Sequence, residues 1–237
     1  MTQLRKKIES ACRKALFDFQ LLEGAEGIAV ALSGGKDSIT LLLMLKAILG
    51  RGFPDLPLHA IHVTGEFSCG ASVQESFLRG ICDKLEVPLI IRESTQKRET
   101  LACYRCSRER RRLIFDAAKE VGAPVVAFGH HEDDSIQTLL LNLLHKGEFA
   151  ANLPKVPMYD YGVTIIRPLI YVSEKALYEF AKQEGYARIT CQCPVGQNSK
   201  RMEVKKLLEE IKVSFPNVET NLAQAALKYG SKKAISR

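Results

Sequence analysis

Between residues 27 and 169 the apolar positions alternate between two patterns. Short continuous runs, "GIAVAL" (27–32), "LHAIHV" (58–63), "PLIIRE" (88–93), "PVVAFG" (124–129) and "VTIIRPL" (163–169), have the length and β-branched content of buried strands. Between them, apolar residues recur at intervals of three and four. These stretches are 38–49, about 72–85 (Val73, Phe77, Ile81, Leu85), about 107–121 (Leu113, Ile114, Ala117, Val121) and 134–145 (Ile136, Leu139, Leu140, Leu143). The alternation predicts an α/β fold, a doubly wound, mainly parallel five-stranded sheet with helices on both faces. Ligands of such sheets bind outside the carboxyl ends of the strands. The loop at 33–38, the loop after Val63 and the "GHHEDD" segment at 129–134 fall at that edge, so they are expected to line one cleft.

The flanks read differently. Residues 1–26 form a basic amphipathic helix with Leu4, Ile8, Ala11, Ala15 and Phe19 on one face. From 173 the pattern turns helical: "SEKALYEFAKQEG" opens with Ser173 as its cap and stops at Gly185, and a second helical segment runs from about 199 to 213. We therefore divide the chain into the N-terminal helix (1–26), the α/β domain (27–172), a helical extension (173–230) and a basic tail (231–237) expected to be mobile.

The loop "SGGKDS" at 33–38 sits between a predicted strand and a predicted helix. It does not follow the G-x-x-x-x-G-K-[ST] spacing of a Walker A loop, because Val30 stands five before Gly35 and Asp37 follows Lys36. Its residues still suit an anion. Gly34 and Gly35 allow close backbone approach, the helix N-terminus favours negative charge, Ser33 and Ser38 add hydroxyls, and Lys36 adds a point charge. A plain surface turn needs none of these.

At 237 residues with 46% hydrophobic content, the chain can build one full core, and no apolar run approaches the roughly 20 residues of a membrane span. A cytoplasmic protein without membrane contact is expected. The net charge of +7 is unevenly spread. Residues 5–14 carry five basic side chains against one glutamate, 105–112 five arginines against one glutamate, and 199–237 nine basic residues against four glutamates. Three such clusters suit a polyanionic partner, although a solvated surface would read the same way.

Seven cysteines in such a protein are not a disulfide framework. Cys12 and Cys82 lie on helix faces and read as small core residues, and Cys69 lies in a loop. Cys103 and Cys106 form C-x-x-C before an arginine-rich helix, and Cys191 and Cys193 form C-x-C. By residue type alone these four suit a zinc site, a redox dithiol or an iron–sulfur cluster.

Taken together, these segments resemble a known family. "SGGKDS" resembles the PP-loop of the ATP pyrophosphatase superfamily. "CYRCSRERRR", "GHHEDDSIQTLLLNLL", "IIRPLIYVSEKALYEFAK" and "CPVGQNSKR" are similar, in order, to motifs of the TtcA-like tRNA 2-thiocytidine synthetases. The resemblance implies ATP, Mg²⁺ and a [4Fe-4S] cluster as cofactors and tRNA as substrate. It also implies a sulfur donor, either sulfide or a persulfide carrier, and a homodimer. Carried over by residue, the cluster ligands are Cys103, Cys106 and Cys193, with Cys191 as the alternative. Asn198 and Arg201 stand five and eight residues after Cys193, as the family's pattern has them. Ser33, Gly34, Gly35, Lys36, Asp37, Ser38 and Gly129 would hold the nucleotide. Lys36, Asp133 and Asp134 would be catalytic. The chain departs from the family at Thr64, where an aspartate is common, and in its C-x-C spacing.

The reaction so implied adenylates the C2 oxygen of an anticodon-loop cytidine, which turns a poor leaving group into AMP, and replaces it with sulfur. Asp37, Asp133 and Asp134 are candidates for Mg²⁺ ligation or proton transfer, with helix N-terminal carboxylates as the plainer alternative. His130 and His131 read as core or capping residues. The rivals are a uridine 2-thiolase, a lysidine-forming tRNA ligase, which needs no cysteine set, and a non-catalytic RNA-binding protein with structural zinc.

Overall fold

A computed structural model describes residues 2–65, 75–95, 103–187 and 200–230, with the backbone alone at 103–106. Cys69, Cys191, Cys193, Asn198 and the tail lie outside these residues. The sheet comprises β1 (Ile28–Ala31), β2 (Leu58–Thr64), β3 (Leu89–Glu93), β4 (Val125–Ala127), β5 (Lys155–Met158) and β6 (Val163–Ile166), in the order β3-β2-β1-β4-β6-β5. All pairings are parallel except β5 with β6. The sheet is thus α/β and mainly parallel, with six described strands where five were predicted. The extra strand is an antiparallel edge. Its four residues are each only half-buried and include Pro157, which an edge tolerates because its missing N–H breaks no interior ladder.

Every residue of β1 and β4 is buried, and successive side chains serve opposite faces. Ile28 and Val30 join one core with Val125 and Ala127, whereas Ala29 and Ala31 join the other with Val126. The first core is closed by α1 (Gln3–Asp18), α2 (Lys36–Ile48), α3 (Glu75–Lys84) and, after β6, α6 (Glu174–Gln183), through Leu16, Leu45, Leu78 and Phe180 among others. Cys12 and Cys82 sit in it, both fully buried, and burial pushes their thiols up to about 12 and about 11. They are core residues, as their helix positions implied.

The opposite face is covered by α4 (Cys103–Glu120) through Ile114, Phe115, Ala117 and Ala118. α4 starts four residues earlier than the apolar pattern indicates, so positions 103 and 106 belong to its first turn. A third, smaller core joins α5 (Glu132–Lys146) to α7 (Lys200–Ser214) and α8 (Val218–Tyr229) through Ile136, Leu140, Val204, Leu208 and Ala223. No helix among the described residues is long and apolar enough to cross a membrane.

Candidate nucleotide-binding site

Strand order reverses between β1 and β4: from β1 the sheet grows one way through β2 and β3, and from β4 the other way through β6 and β5. The loops leaving the carboxyl ends of these two strands therefore diverge and leave a crevice. The β1–α2 loop is Leu32–Gly35, with Gly34 at φ +83°, a conformation that favours glycine. Gly35 caps α2 without a side-chain hydrogen bond, so the first amides of the helix remain for a ligand. The two serines shape the loop. Ser33 Oγ accepts from the Gly35 amide at 3.3 Å and lies 3.1 Å from Ser38 Oγ, which donates to the Gly35 carbonyl at 3.0 Å. Thr40 Oγ1 donates to the Lys36 carbonyl at 2.7 Å and lies 2.9 Å from the Tyr186 hydroxyl, which ties the first turn of α2 to the chain beyond α6.

The β4–α5 loop presses against this turn. A Cβ at Gly129 would lie 3.0 Å from the Ser38 amide nitrogen and 3.1 Å from the Asp37 carbonyl carbon. Only a residue without a side chain permits that approach, which accounts for the glycine. Lys36 Nζ lies 3.0 Å from Asp37 Oδ1 and 3.6 Å from Glu174 Oε1, and Glu174 is held in turn by Lys205 of α7 at 2.8 Å. Burial raises the Asp37 carboxyl despite its lysine neighbour. Burial also acts to raise Glu174, but Lys205 and Lys36 outweigh it and hold the carboxyl below its usual range.

The four histidine and aspartate neighbours divide their work. Asp133 Oδ2 accepts from the Glu174 amide at 2.7 Å, at the start of α6, and does not line the crevice. Asp134 does line it: its Oδ2 accepts from the His131 amide at 3.2 Å and its Oδ1 pairs with Arg201 of α7 at 3.2 Å. His131 is buried. Burial alone would lower its imidazole, but Asp133 at 3.5 Å, Asp134 at 3.4 Å and Asp37 raise it above its usual value. His130 goes the other way. Burial and the Arg167 guanidinium push it down to about 3, and its Nδ1 accepts from Arg167 Nε at 3.3 Å, so the ring is neutral with its proton on Nε2.

Together these elements enclose a cleft of about 190 Å³. Ser33, Asp37, Ser38, Gly129, His130 and Asp134 make its polar side, and Leu32, Ile61, Val63, Ile114 and Phe128 make an apolar wall. A glycine turn, open helix amides and an adjacent lysine beside an apolar slot suit a nucleotide, with phosphates at the turn. A model of the PP-loop domain matches residues 2–211. The chain belongs to the PP-loop family.

Among its relatives, a protein from Francisella tularensis named tRNA-cytidine(32) 2-sulfurtransferase 2 is 34% identical over 94% of this chain and 91% of its own length. A tRNA-cytidine(32) 2-sulfurtransferase from Syntrophotalea carbinolica is 35% identical over 94% of this chain and 89% of its own. The U34-tRNA thiolase NcsA from Methanococcus maripaludis, solved with its [4Fe-4S] cluster, superposes with a TM-score of 0.73 at 20% identity, covering 94% of this chain and 77% of that one, and attests the fold.

Of the expected site residues, the fold brings Ser33, Asp37 and Ser38 of the PP-loop and Gly129 and Asp134 of the β4–α5 segment to one cleft, with Gly34, Gly35 and Lys36 in the turn beside it. Asp133 points its carboxylate at α6 instead. Among the described residues no three His, Cys, Asp or Glu side chains are grouped so as to hold a metal ion. Glu174, Lys205, Arg167 and the Thr40–Tyr186 pair were not singled out from sequence as site residues. Tyr186 stands 146 residues from Thr40 and Glu174 stands 138 from Lys36, so no local pattern could have joined them.

Proposed function

We propose that this protein is an ATP-dependent tRNA thiolase that adenylates the C2 oxygen of an anticodon-loop cytidine and replaces it with sulfur. The observation that carries this reading is the course of α4. Helical spacing sets positions 103 and 106 on the face that delivers Arg110 and Ile114 to the nucleotide cleft. By register alone, two cysteine positions thereby share the helix face that borders the nucleotide cleft. The relatives at 34% and 35% identity, both named for cytidine, favour that base over uridine.

In this reading the cytidine oxygen attacks the α-phosphorus and pyrophosphate leaves. The α2 amides and Lys36 hold the departing group and offset the charge that develops on it. Asp37 or Asp134 would supply the protein ligand to a Mg²⁺ ion accompanying ATP, which would help neutralise the phosphate charge. Asp133 positions α6, and with it Glu174 beside Lys36. The donor set fits an iron–sulfur cluster: soft thiolates of Cys103 and Cys106 on one helix turn, and Cys193, or Cys191, from the segment leading into α7. When bound, such a cluster would supply the chemistry that delivers sulfur to the activated carbon, with Cys103, Cys106 and Cys193, or Cys191, as the residues that would hold it. Sulfide supplies that sulfur directly, whereas a persulfide carrier would supply it together with a thiol reductant that releases its outer sulfur as sulfide; a homodimer in the cytoplasm is the expected assembly.

Iron and sulfide analysis with an anaerobic absorption spectrum tests the reading. A brown protein is expected, with the colour lost on Cys103→Ser, Cys106→Ser or Cys193→Ser and kept on Cys12→Ser or Cys82→Ser. If Cys191→Ser loses the cluster and Cys193→Ser keeps it, the third ligand is Cys191. Stoichiometric zinc without iron would refute sulfur delivery by a cluster.

A further inference from the structure

Among the described residues lining the cleft, one side chain is a permanent cation: Arg110. Its Nη1 is buried and has no hydrogen-bond partner. The other charged side chains in the cleft each have a counter-ion, although Asp37 Oδ1 makes no hydrogen bond. Asp37 is paired with Lys36 at 3.0 Å and Asp134 with Arg201 at 3.2 Å, while His130 is neutral. A buried guanidinium N–H without an acceptor is costly unless a ligand supplies one. Lys36, by contrast, does not line this cleft but stands at the turn beside it.

From this separation of the two cations we propose that Arg110 binds the α-phosphate of ATP and keeps it through the adenylated intermediate, whereas Lys36 serves the pyrophosphate. This assignment rests on the adenylation reading above. Pyrophosphate leaves after the first step and takes with it the need for Lys36. The phosphate that joins AMP to the base stays in the cleft, still anionic, until sulfur displaces it, and Arg110 is the charge left to hold it. Its planar fork suits two phosphate oxygens at once, which a lysine cannot match. Arg110 stands four residues after Cys106 and seven after Cys103 on one face of α4, so the same helix would carry the phosphate ligand and two thiolates in fixed register.

Calorimetric titration of the purified full-length protein with AMP alone and with pyrophosphate alone tests the assignment. Arg110→Gln is expected to weaken AMP binding at least about tenfold, as befits a lost charged hydrogen bond, while pyrophosphate affinity stays within about twofold. Lys36→Ala should give the mirror pattern. Arg110→Lys, which keeps the charge but not the fork, should weaken AMP less than Arg110→Gln does. If Arg110→Gln does not fold, as read by thermal unfolding, Arg110→Lys decides, and AMP affinity equal to that of the unaltered protein overturns the assignment. AMP binding unaffected by Arg110→Gln, or a parallel loss of pyrophosphate, overturns it too, as would loss of bound iron with AMP affinity intact. An unaltered protein that binds neither AMP nor pyrophosphate would instead refute the adenylation reading itself.

Discussion

A methyl group on Gly129 would meet the backbone of Asp37 and Ser38, neither of which can swing aside as a side chain could. Gly129→Ala should therefore displace the start of α2 and lower the rate of pyrophosphate release, while circular dichroism shows the fold retained. Lys36→Ala, which removes the cation proposed to face the departing pyrophosphate, should lower that rate by about 10²-fold or more. The glycine turn and its lysine could be read from sequence because their chemistry is local. The roles of the neighbouring histidines could not, since each depends on groups brought in by other elements. His131 is raised by carboxylates, so its charged form stabilises the fold fully below the ordinary value of 6.5, and that contribution is lost as pH rises through the folded pKa. Thermal melts of the unaltered protein and His131→Gln should accordingly converge above that pKa and diverge below it. His130, held neutral, has the opposite sign: its contribution is present above 6.5 and fades as pH falls toward about 3.

Helix α7 joins the two halves of the site by different means. Val204 and Leu208 pack on Ile136 and Leu140 of α5, while Arg201 and Lys205 reach Asp134 and Glu174. Leu208→Ala should destabilise the protein by about 2 to 4 kcal/mol in a denaturant titration, from lost burial and the cavity left behind. The exposed ion pairs should matter far less, about 0 to 1 kcal/mol each. Their geometry holds Glu174 beside Lys36 rather than stabilising the fold. Among the elements, the buried parallel strands and the Ser173 cap were plain in the sequence; the Ser173 hydroxyl does accept from Ala176 at 3.3 Å. β5 was not, because a half-exposed edge containing Pro157 has neither alternation nor a continuous apolar run. The start of α4 was hidden for a related reason: its apolar stripe begins at Leu113, after two turns dominated by arginine.

At the scale of the whole molecule, the three basic clusters contribute unequally to any polyanion surface. Arg13 is committed to Glu9 and to the Arg51 carbonyl, and Arg201 and Lys205 to the site carboxylates. Lys6, Lys7 and Lys206 are exposed, and Arg112, also exposed, is paired with Asp116 at 3.7 Å. tRNA affinity should thus fall linearly on a log–log plot against salt, with a slope of roughly 0.7 to 0.9 per phosphate contacted. The count is expected to be smaller than the number of basic residues in the clusters. A filter-binding series at several salt concentrations gives the slope directly, and a salt-independent affinity would reduce the clusters to a solvated surface. The most direct test of the function is to incubate the anaerobic protein with tRNA, ATP, Mg²⁺ and sulfide, then measure nucleotide products and digested nucleosides by mass spectrometry. The expected result is AMP and pyrophosphate formed together with 2-thiocytidine in the tRNA. Release of ADP and phosphate, or AMP accompanied by lysidine or 2-thiouridine in place of 2-thiocytidine, would contradict it.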